Sequence, residues 1–216
     1  IASPSLAEDL LASGVCDMVG VSRALMADAN WVRKAEQGEL EAIRPATYTN
    51  VSWGETQGGR PLIEENNPEL GEDGEADWQP GRSSRPGRVA VGGAGPAGLE
   101  AAWVLAARGH DVTLFGRGTE AGGGLRLLST LPHLSQQKDA TDWQVRQAHK
   151  YGVDLRLGKE ASLSEIEELA PDLVLLATGS RPSTPDGLEG CGFSLKEGVA
   201  SGLAIPAGST VFFFYV

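Results

Sequence analysis

The sequence predicts an α/β fold built on a parallel β-sheet with helices on both faces. From Arg88 onward, short apolar runs alternate with segments of helical spacing, and no internal repeat interrupts that order. Such alternation is typical of parallel sheets whose faces are both covered. Strands are predicted at 89–91, 112–115, 153–157 and 172–177, and helices at 99–108, 138–151 and 163–169.

The turn after the first predicted strand carries the most informative motif of the chain. It consists of six small or turn-forming residues: Gly93, Ala94, Gly95, Pro96, Ala97 and Gly98. In a strand–turn–helix context, the first glycine permits a tight turn, the second lets a pyrophosphate approach and the third lets the helix pack closely. The helix N-terminus adds free N–H groups and the positive end of its dipole. The motif predicts a Rossmann-like dinucleotide-binding domain; the alternative is a glycine-rich turn without a ligand.

Length and composition restrict the remaining possibilities. The 216 residues suffice for one domain, or for one domain plus a fragment, and the net charge of −11 argues against nucleic acid or an anionic membrane surface as partner. No apolar run is long enough to span a bilayer. Cys16 and Cys191 lie far apart, so we expect neither a disulfide framework nor a metal site. The expected setting is reducing and cytoplasmic.

The first 87 residues divide into two parts. Residues 1–45 predict helices at 5–13 and 29–37 around a short strand at 17–21. Residues 46–87 are rich in Gly, Pro, Asn, Glu and Ser without sustained periodicity, which indicates a linker or a functional loop. The chain lacks an initiator Met and ends within an apolar strand at 211–216, so we expect both ends to be cuts through a longer protein.

Residues 88–182 resemble the FAD-binding half of flavoproteins of the glutathione-reductase type. The matching segments are 89–102, 109–115, 122–123 and 175–182. The resemblance implies a second turn that the flavin contacts, formed by Ala177, Thr178 and Gly179. It also implies a phosphate-side turn at Gly122 and Gly123, with Gly123 and Gly124 as cofactor contacts, although the family often has Gln or His at position 124.

Residues 1–45 resemble the end of the old yellow enzyme barrel and the segment after that barrel in multidomain members, the trimethylamine dehydrogenase and dienoyl-CoA reductase group. The resemblance implies that Gly20, Ser22 and Arg23 meet the FMN phosphate; the alternative for Arg23 is a solvated cation at a helix start. A (β/α)8 barrel needs eight strands, so this chain alone cannot hold FMN. The implied plan is a barrel remnant at 1–45, an iron–sulfur loop at 46–87 and an incomplete FAD- or ADP-binding domain at 88–216.

The sequence departs from the family at the iron–sulfur loop and at the ribose. Ala46, Thr49 and Ser52 stand at three cysteine positions, with Glu64 near the fourth, so we predict that no cluster is bound. Gly116 replaces the acid that holds the adenosine ribose. Ribose recognition is then weakened or left to backbone atoms, or it is taken over by residues nearby: Glu120 for the ribose hydroxyls, or Arg117 for a 2′-phosphate.

The resulting hypothesis is an internal portion of a flavin-dependent NAD(P)H oxidoreductase of the ene-reductase or amine dehydrogenase type. No residue is a convincing acid, base or nucleophile, because in such proteins the flavin carries the chemistry. Two alternatives stay open: a structural module that holds ADP without redox work, and an inactive truncated fragment. The expected partners are a flavin or adenine nucleotide and the rest of the polypeptide or a barrel-bearing subunit, with a homo-oligomer as a further option.

Overall fold

A four-stranded parallel sheet forms the centre of the protein. The structure is a computed structural model that describes residues 1–131 and 133–180. The strands are β1 Arg88–Gly92, β2 Asp111–Gly116, β3 Asp154–Leu157 and β4 Leu173–Leu176. They are arranged in the order β3-β2-β1-β4, with every neighbouring pair parallel. The predicted α/β class is confirmed, and all four predicted strands of the sheet are present.

Helices connect and flank these strands. In chain order they are α1 Pro4–Ala12, α2 Arg23–Ala27, α3 Trp31–Glu36, α4 Val51–Gln57, α5 Pro96–Ala107, α6 Gly123–Leu128, α7 Gln137–Lys150 and α8 Leu163–Glu168. Single 3₁₀ turns lie at Leu40–Ala42 and Glu75–Asp77. Helix α5 begins three residues before its predicted start because Pro96 occupies its first turn, where the missing N–H costs nothing.

The main core lies between the sheet and α5, and α7 packs on the outside of α5. Val91 and Leu114 of the sheet and Leu99 of α5 are fully buried. Trp103 of α5 makes an edge-to-face contact with Trp143 of α7, with ring centroids 5.7 Å apart. These apolar contacts hold the turn between β1 and α5 at one end of the sheet.

The prediction of a strand at 17–21 is wrong. These residues are irregular, and Met18 is 85% exposed. A strand forms only when a neighbour completes its hydrogen-bond ladder, and no other strand pairs with this segment among the residues described. Val19 and Val21 instead pack on a small cluster that includes Trp31.

The segment 46–87 is more ordered than a plain linker. It contains helix α4, which the sequence did not predict, and the side chain of Asn67 donates a hydrogen bond to the carbonyl of Met26 at 2.8 Å. The predicted strand at 211–216, Cys191 and the last two residues of the 175–182 match lie outside the described residues. In the part of the chain that the structure covers, no helix combines the length and apolarity that a bilayer crossing needs.

Candidate functional site

The turn after β1 is held in a conformation that only glycine adopts readily. Gly93 has φ +113°, and a Cβ there would overlap the carbonyl of Ala177, the residue that follows β4. The Gly93 N–H donates to the carbonyl of Phe115 on β2 at 2.8 Å. The backbone of β1 therefore turns sharply between two neighbouring strands.

Gly95 is the N-cap of α5 and the most open of the three glycines. An ideal Cβ built on Gly95 has no other atom within 4 Å. Pro96 has no N–H, and the first intrahelical bond runs from Leu99 N–H to the Gly95 carbonyl at 2.9 Å. The N–H groups of Ala97 and Gly98 precede it, so they lie among the free donors of the first turn. This is open space beside unpaired backbone donors and the positive end of a 12-residue helix.

Gly98 sets how closely α5 approaches β1. It is buried, and a Cβ on it would overlap the carbonyl oxygen of Gly93 and lie 3.4 Å from the Cβ of Ala177. Any larger residue would push the helix away from the turn. The roles that the motif predicts for the first and third glycines are thus visible as contacts.

Two further turns meet this one. The Ala177 N–H donates to the Gly92 carbonyl at 2.7 Å, and Thr178 and Gly179 follow as exposed residues, the latter with φ +75°. On the other side, a Cβ on Gly123 would lie 3.1 Å from Gly95 Cα. The Gly122 N–H donates to the Ala94 carbonyl at 2.7 Å.

The structure therefore brings together most residues predicted to contact the cofactor. Those on the converging turns are Gly93, Ala94, Gly95, Pro96, Ala97, Gly98, Gly123, Ala177, Thr178 and Gly179. Gly124 lies one residue further, inside α6, with open space around it. Their assignment to a bound nucleotide stays a prediction.

The residues predicted to meet an FMN phosphate lie in the N-terminal segment. Gly20 and Ser22 are exposed, and α2 after them has only five residues. Arg23 Nη1 donates to Asn50 Oδ1 at 2.7 Å, and its guanidinium lies 4.9 Å from the ring centroid of Tyr48. In this structure Arg23 thus contacts the segment 48–50, where Tyr48 and Asn50 both have positive φ.

Hydroxyl–carboxylate contacts close the loop that resembles the iron–sulfur segment. Thr47 Oγ1 donates to Glu65 Oε2 at 2.7 Å, and Thr49 Oγ1 donates to the same oxygen. Ala46 is buried and offers no ligand atom, and Ser52 is buried within α4. Across residues 1–131 and 133–180, no group of three His, Cys, Asp or Glu side chains is arranged to hold a metal ion.

Glu64, near the fourth cysteine position, is a half-buried carboxylate. Its Oε1 is buried without a hydrogen-bond partner among the described residues. Burial raises the pKa of Glu64, and the negative charge of Glu65 adds to that rise, while backbone N–H groups of Thr47 and Asn66 and the charge of Arg23 oppose it. A lone carboxylate in this environment is a poor replacement for a thiolate ligand.

Gly116, the last residue of β2, is packed tightly. A Cβ there would lie 2.6 Å from the Cβ of Ala94 and 2.7 Å from Leu157 Cδ2. Neighbouring side chains therefore take up the space that the family's acid would need. Arg117 and Glu120, the two alternative contacts to the ribose, are exposed.

Sequence reasoning missed Gln144, which contacts the start of α5. Its Nε2 donates to the carbonyl of Pro96 at 3.2 Å and to Glu100 Oε2 at 2.8 Å. Gln144 is only 5% exposed. The signal that could have found it is a polar residue on the apolar face of a predicted helix, since a buried amide needs hydrogen-bond partners.

The parallel sheet and its three converging turns define a dinucleotide-binding α/β domain of the kind found in oxidoreductases. Residues 87–205 match the family described as pyridine nucleotide-disulphide oxidoreductase. The match covers more than half of the chain, and the chain belongs to this family.

Similar proteins extend the match beyond this domain. An NADH oxidase of Thermoanaerobacter brockii is 36% identical over 195 residues, covering 86% of this chain and 29% of its own length. A multifunctional alkene reductase/demethylase of Caballeronia cordobensis is 33% identical, covering 85% and 26%. The structure of a 2-naphthoyl-CoA reductase with 2-naphthoyl-CoA superposes with a TM-score of 0.80 at 30% identity, covering 88% and 29%.

These similarities confirm the resemblance to the trimethylamine dehydrogenase and old yellow enzyme group of flavoproteins. The chain spans less than a third of the length of the relatives that it matches. It therefore corresponds to one part of such proteins.

Proposed function

We propose that this chain is the nucleotide-binding part of a flavin-dependent oxidoreductase and holds the pyrophosphate of FAD at the turn 93–98. One observation carries the proposal: the first and third glycines of the turn are tightly packed, whereas the second, Gly95, faces open space. Packing alone explains why Gly93 and Gly98 lack side chains. It does not explain Gly95, where an approaching phosphate would need the space.

The chain's own groups are suited to this task. The N–H groups of Ala97 and Gly98 and the dipole of α5 attract a doubly charged pyrophosphate. Gly123 and Ala177 flank the same space with backbone rather than bulky side chains. When FAD is bound, it supplies the hydride- and electron-transfer chemistry, while the protein orients it.

We further propose that the complete protein catalyses NAD(P)H-dependent reduction of an activated alkene or oxidation of an amine. The alkene reductase/demethylase among the relatives supports this class. In this proposal residues 1–45 complete a barrel supplied by the rest of the polypeptide or by another subunit, in a cytoplasmic setting. FMN then depends on that barrel, with Gly20, Ser22 and Arg23 at its phosphate.

The segment 46–87 would serve this protein without an iron–sulfur cluster. The support is the chemistry of the residues present: Ala46, Thr49 and Ser52 supply no thiolate, and the Thr49 hydroxyl donates to Glu65. A second candidate function, a module that holds ADP for structural purposes only, is favoured by Ala46, Thr49 and Ser52, which supply no thiolate for an electron relay. Residues 88–216 would bind the nucleotide in either case.

Two Gly→Ala variants test the nucleotide site. Gly95→Ala adds a methyl group where nothing in the protein opposes it, so we expect an unchanged unfolding midpoint and at least a tenfold loss of affinity for ADP and FAD in titration calorimetry. Gly54→Ala, in α4 and equally open, is the matched control and should bind as the wild type does. Undiminished binding by Gly95→Ala would overturn the proposal.

The absorbance of the purified protein separates the two candidate functions. Flavin bands indicate the redox role, and a colourless protein that releases ADP on denaturation indicates the structural one.

A further inference from the structure

Arg44 is a buried cation that joins the N-terminal segment to the nucleotide-binding domain. It is 9% exposed, and its backbone N–H donates to Asp28 Oδ2 at 2.8 Å. Its guanidinium donates to the Asn66 carbonyl at 2.5 Å and to Glu100 Oε1 at 3.1 Å. The guanidinium also lies over the ring of Trp143, 4.3 Å from the centroid.

Its partner Glu100 lies on α5, the helix whose first turn faces the open space at Gly95. The second carboxylate oxygen of Glu100 accepts a hydrogen bond from Gln144 Nε2 at 2.8 Å. The same Nε2 donates to the carbonyl of Pro96, the first residue of α5, at 3.2 Å. A continuous set of contacts therefore leads from Arg44 to the start of the helix.

The charge of Glu100 makes this arrangement consequential. An unpaired carboxylate near the N-terminal end of α5 would repel a pyrophosphate bound there and weaken the favourable field of the helix dipole. Arg44 compensates that charge in a partly buried environment, where an ion pair is screened less by salt. Removing one member of such a pair leaves an uncompensated charge, whereas neutralising both members is tolerated.

We propose that Arg44 is a positioning residue for the nucleotide site: it neutralises and fixes Glu100 and, through Gln144, holds the first turn of α5. The inference rests on the proposed function, because it assumes that a nucleotide binds at this turn. Arg44 lies outside the dinucleotide-binding domain, yet in this proposal it contributes to the affinity of that domain for the nucleotide.

The test measures ADP affinity by titration calorimetry in the full chain. For Arg44→Met we expect at least a fivefold weaker Kd. Arg44→Lys keeps the charge but loses part of the hydrogen bonding and the contact of the guanidinium with the Trp143 ring, and we expect an intermediate Kd. It also serves as the informative variant if Arg44→Met does not fold.

The decisive variant is Arg44→Met combined with Glu100→Gln. Because this pair removes the uncompensated carboxylate, we expect it to recover most of the lost affinity. A purely structural role of Arg44 would also be relieved by the second substitution, but only as a recovery of the unfolding midpoint, without a change in Kd. Both quantities are therefore measured, the Kd at a temperature where every variant is folded. Failure of the second substitution to improve binding would therefore overturn the proposal.

Arg146→Gln provides the matched control. Arg146 also joins α7 to the N-terminal segment, through an ion pair with Glu41 at 3.0 Å, and among the described residues it forms no ion pair with α5. We expect its Kd to equal that of the wild type, and an equal loss in both Arg variants would argue against a specific role for Arg44. If the wild-type chain itself bound no ADP, the proposed function would fail instead, which keeps the two failures distinct.

Discussion

The carbonyl oxygen of Gly93 occupies the position that a Cβ on Gly98 would need. These two glycines thereby fix the distance between β1 and α5, and the third glycine of the motif, Gly95, is left facing open space. One six-residue turn thus separates residues required for packing from a residue available to a ligand.

Gly98→Ala is expected to destabilise the fold. The added methyl group must displace the backbone of Gly93, and overpacking of this kind costs about 1–3 kcal/mol or more in the free energy of unfolding. Urea unfolding followed by tryptophan fluorescence measures the loss. Wild-type stability in this variant would contradict the close approach of α5 to the turn after β1.

Gly116→Ala should also lower the free energy of unfolding by about 1–3 kcal/mol, because the added methyl group would overlap the side chains of Ala94 and Leu157. The matched comparison is the double variant with Leu157→Ala, in which one of the two crowding side chains is removed. We expect the effect of Gly116→Ala on the unfolding free energy to be smaller in that background. Simple additivity of the two effects would contradict the crowding described.

Glu64→Gln is expected to change how stability depends on pH. Burial raises the pKa of Glu64 above its unfolded-state value, so the folded chain binds the carboxyl proton more tightly than the unfolded chain does. The stabilisation from Glu64 is therefore complete below the unfolded-state pKa and is lost as the pH rises through the folded-state pKa. The stability of Glu64→Gln relative to wild type should increase over that interval, as measured by urea unfolding at several pH values.

Glu165→Gln gives the opposite sign and serves as the control for Glu64. Hydrogen bonds from Lys159 and Ser162 lower the pKa of Glu165 to about 2. Its stabilising contribution is present above the unfolded-state pKa and is lost as the pH falls toward the folded-state value. The variant should therefore lose stability relative to wild type at neutral pH and approach it in acid. Parallel pH profiles for the two variants would contradict both assignments.

Incubation with iron and sulfide under reducing conditions is expected to leave the protein without visible cluster absorption. Three of the family's cysteine positions hold Ala46, Thr49 and Ser52, none of which supplies a thiolate. The matched variant has cysteine at positions 46, 49, 52 and 64. We expect visible cluster absorption in this variant and none in the wild-type chain. A cluster spectrum in the wild-type chain would refute the expectation.

The elements that the sequence predicted well are those set by local chemistry. Gly93 begins the turn after β1 where the motif predicts it, because its positive φ is a property of the local backbone alone. Likewise the helix predicted at 163–169 begins at Leu163, because Ser162 is its N-cap and forms a capping box with Glu165. Such features need no knowledge of distant partners.

Features that depend on contacts between residues far apart in the chain could not be predicted from the sequence alone. The segment 17–21 has the composition of a buried strand, yet its regularity would require a neighbouring strand. The role of Arg44 depends on Glu100, 56 residues away, and on Trp143 beyond it. Helix α4 was missed because Val51–Gln57 has no apolar periodicity to reveal it.

The hydrogen bond from Trp143 Nε1 to the Ala42 carbonyl has a consequence for biosynthesis. The two residues are 101 positions apart, and Gln137 bonds to Thr47 across 90. At a synthesis rate of roughly 5–20 residues per second, α7 leaves the ribosome on the order of 5–20 seconds after the segment that contains Ala42 and Thr47. During that delay the carbonyl groups of Ala42 and Thr47 lack their hydrogen-bond donors on α7, so this part of the N-terminal segment reaches its final arrangement only after α7 has been synthesised.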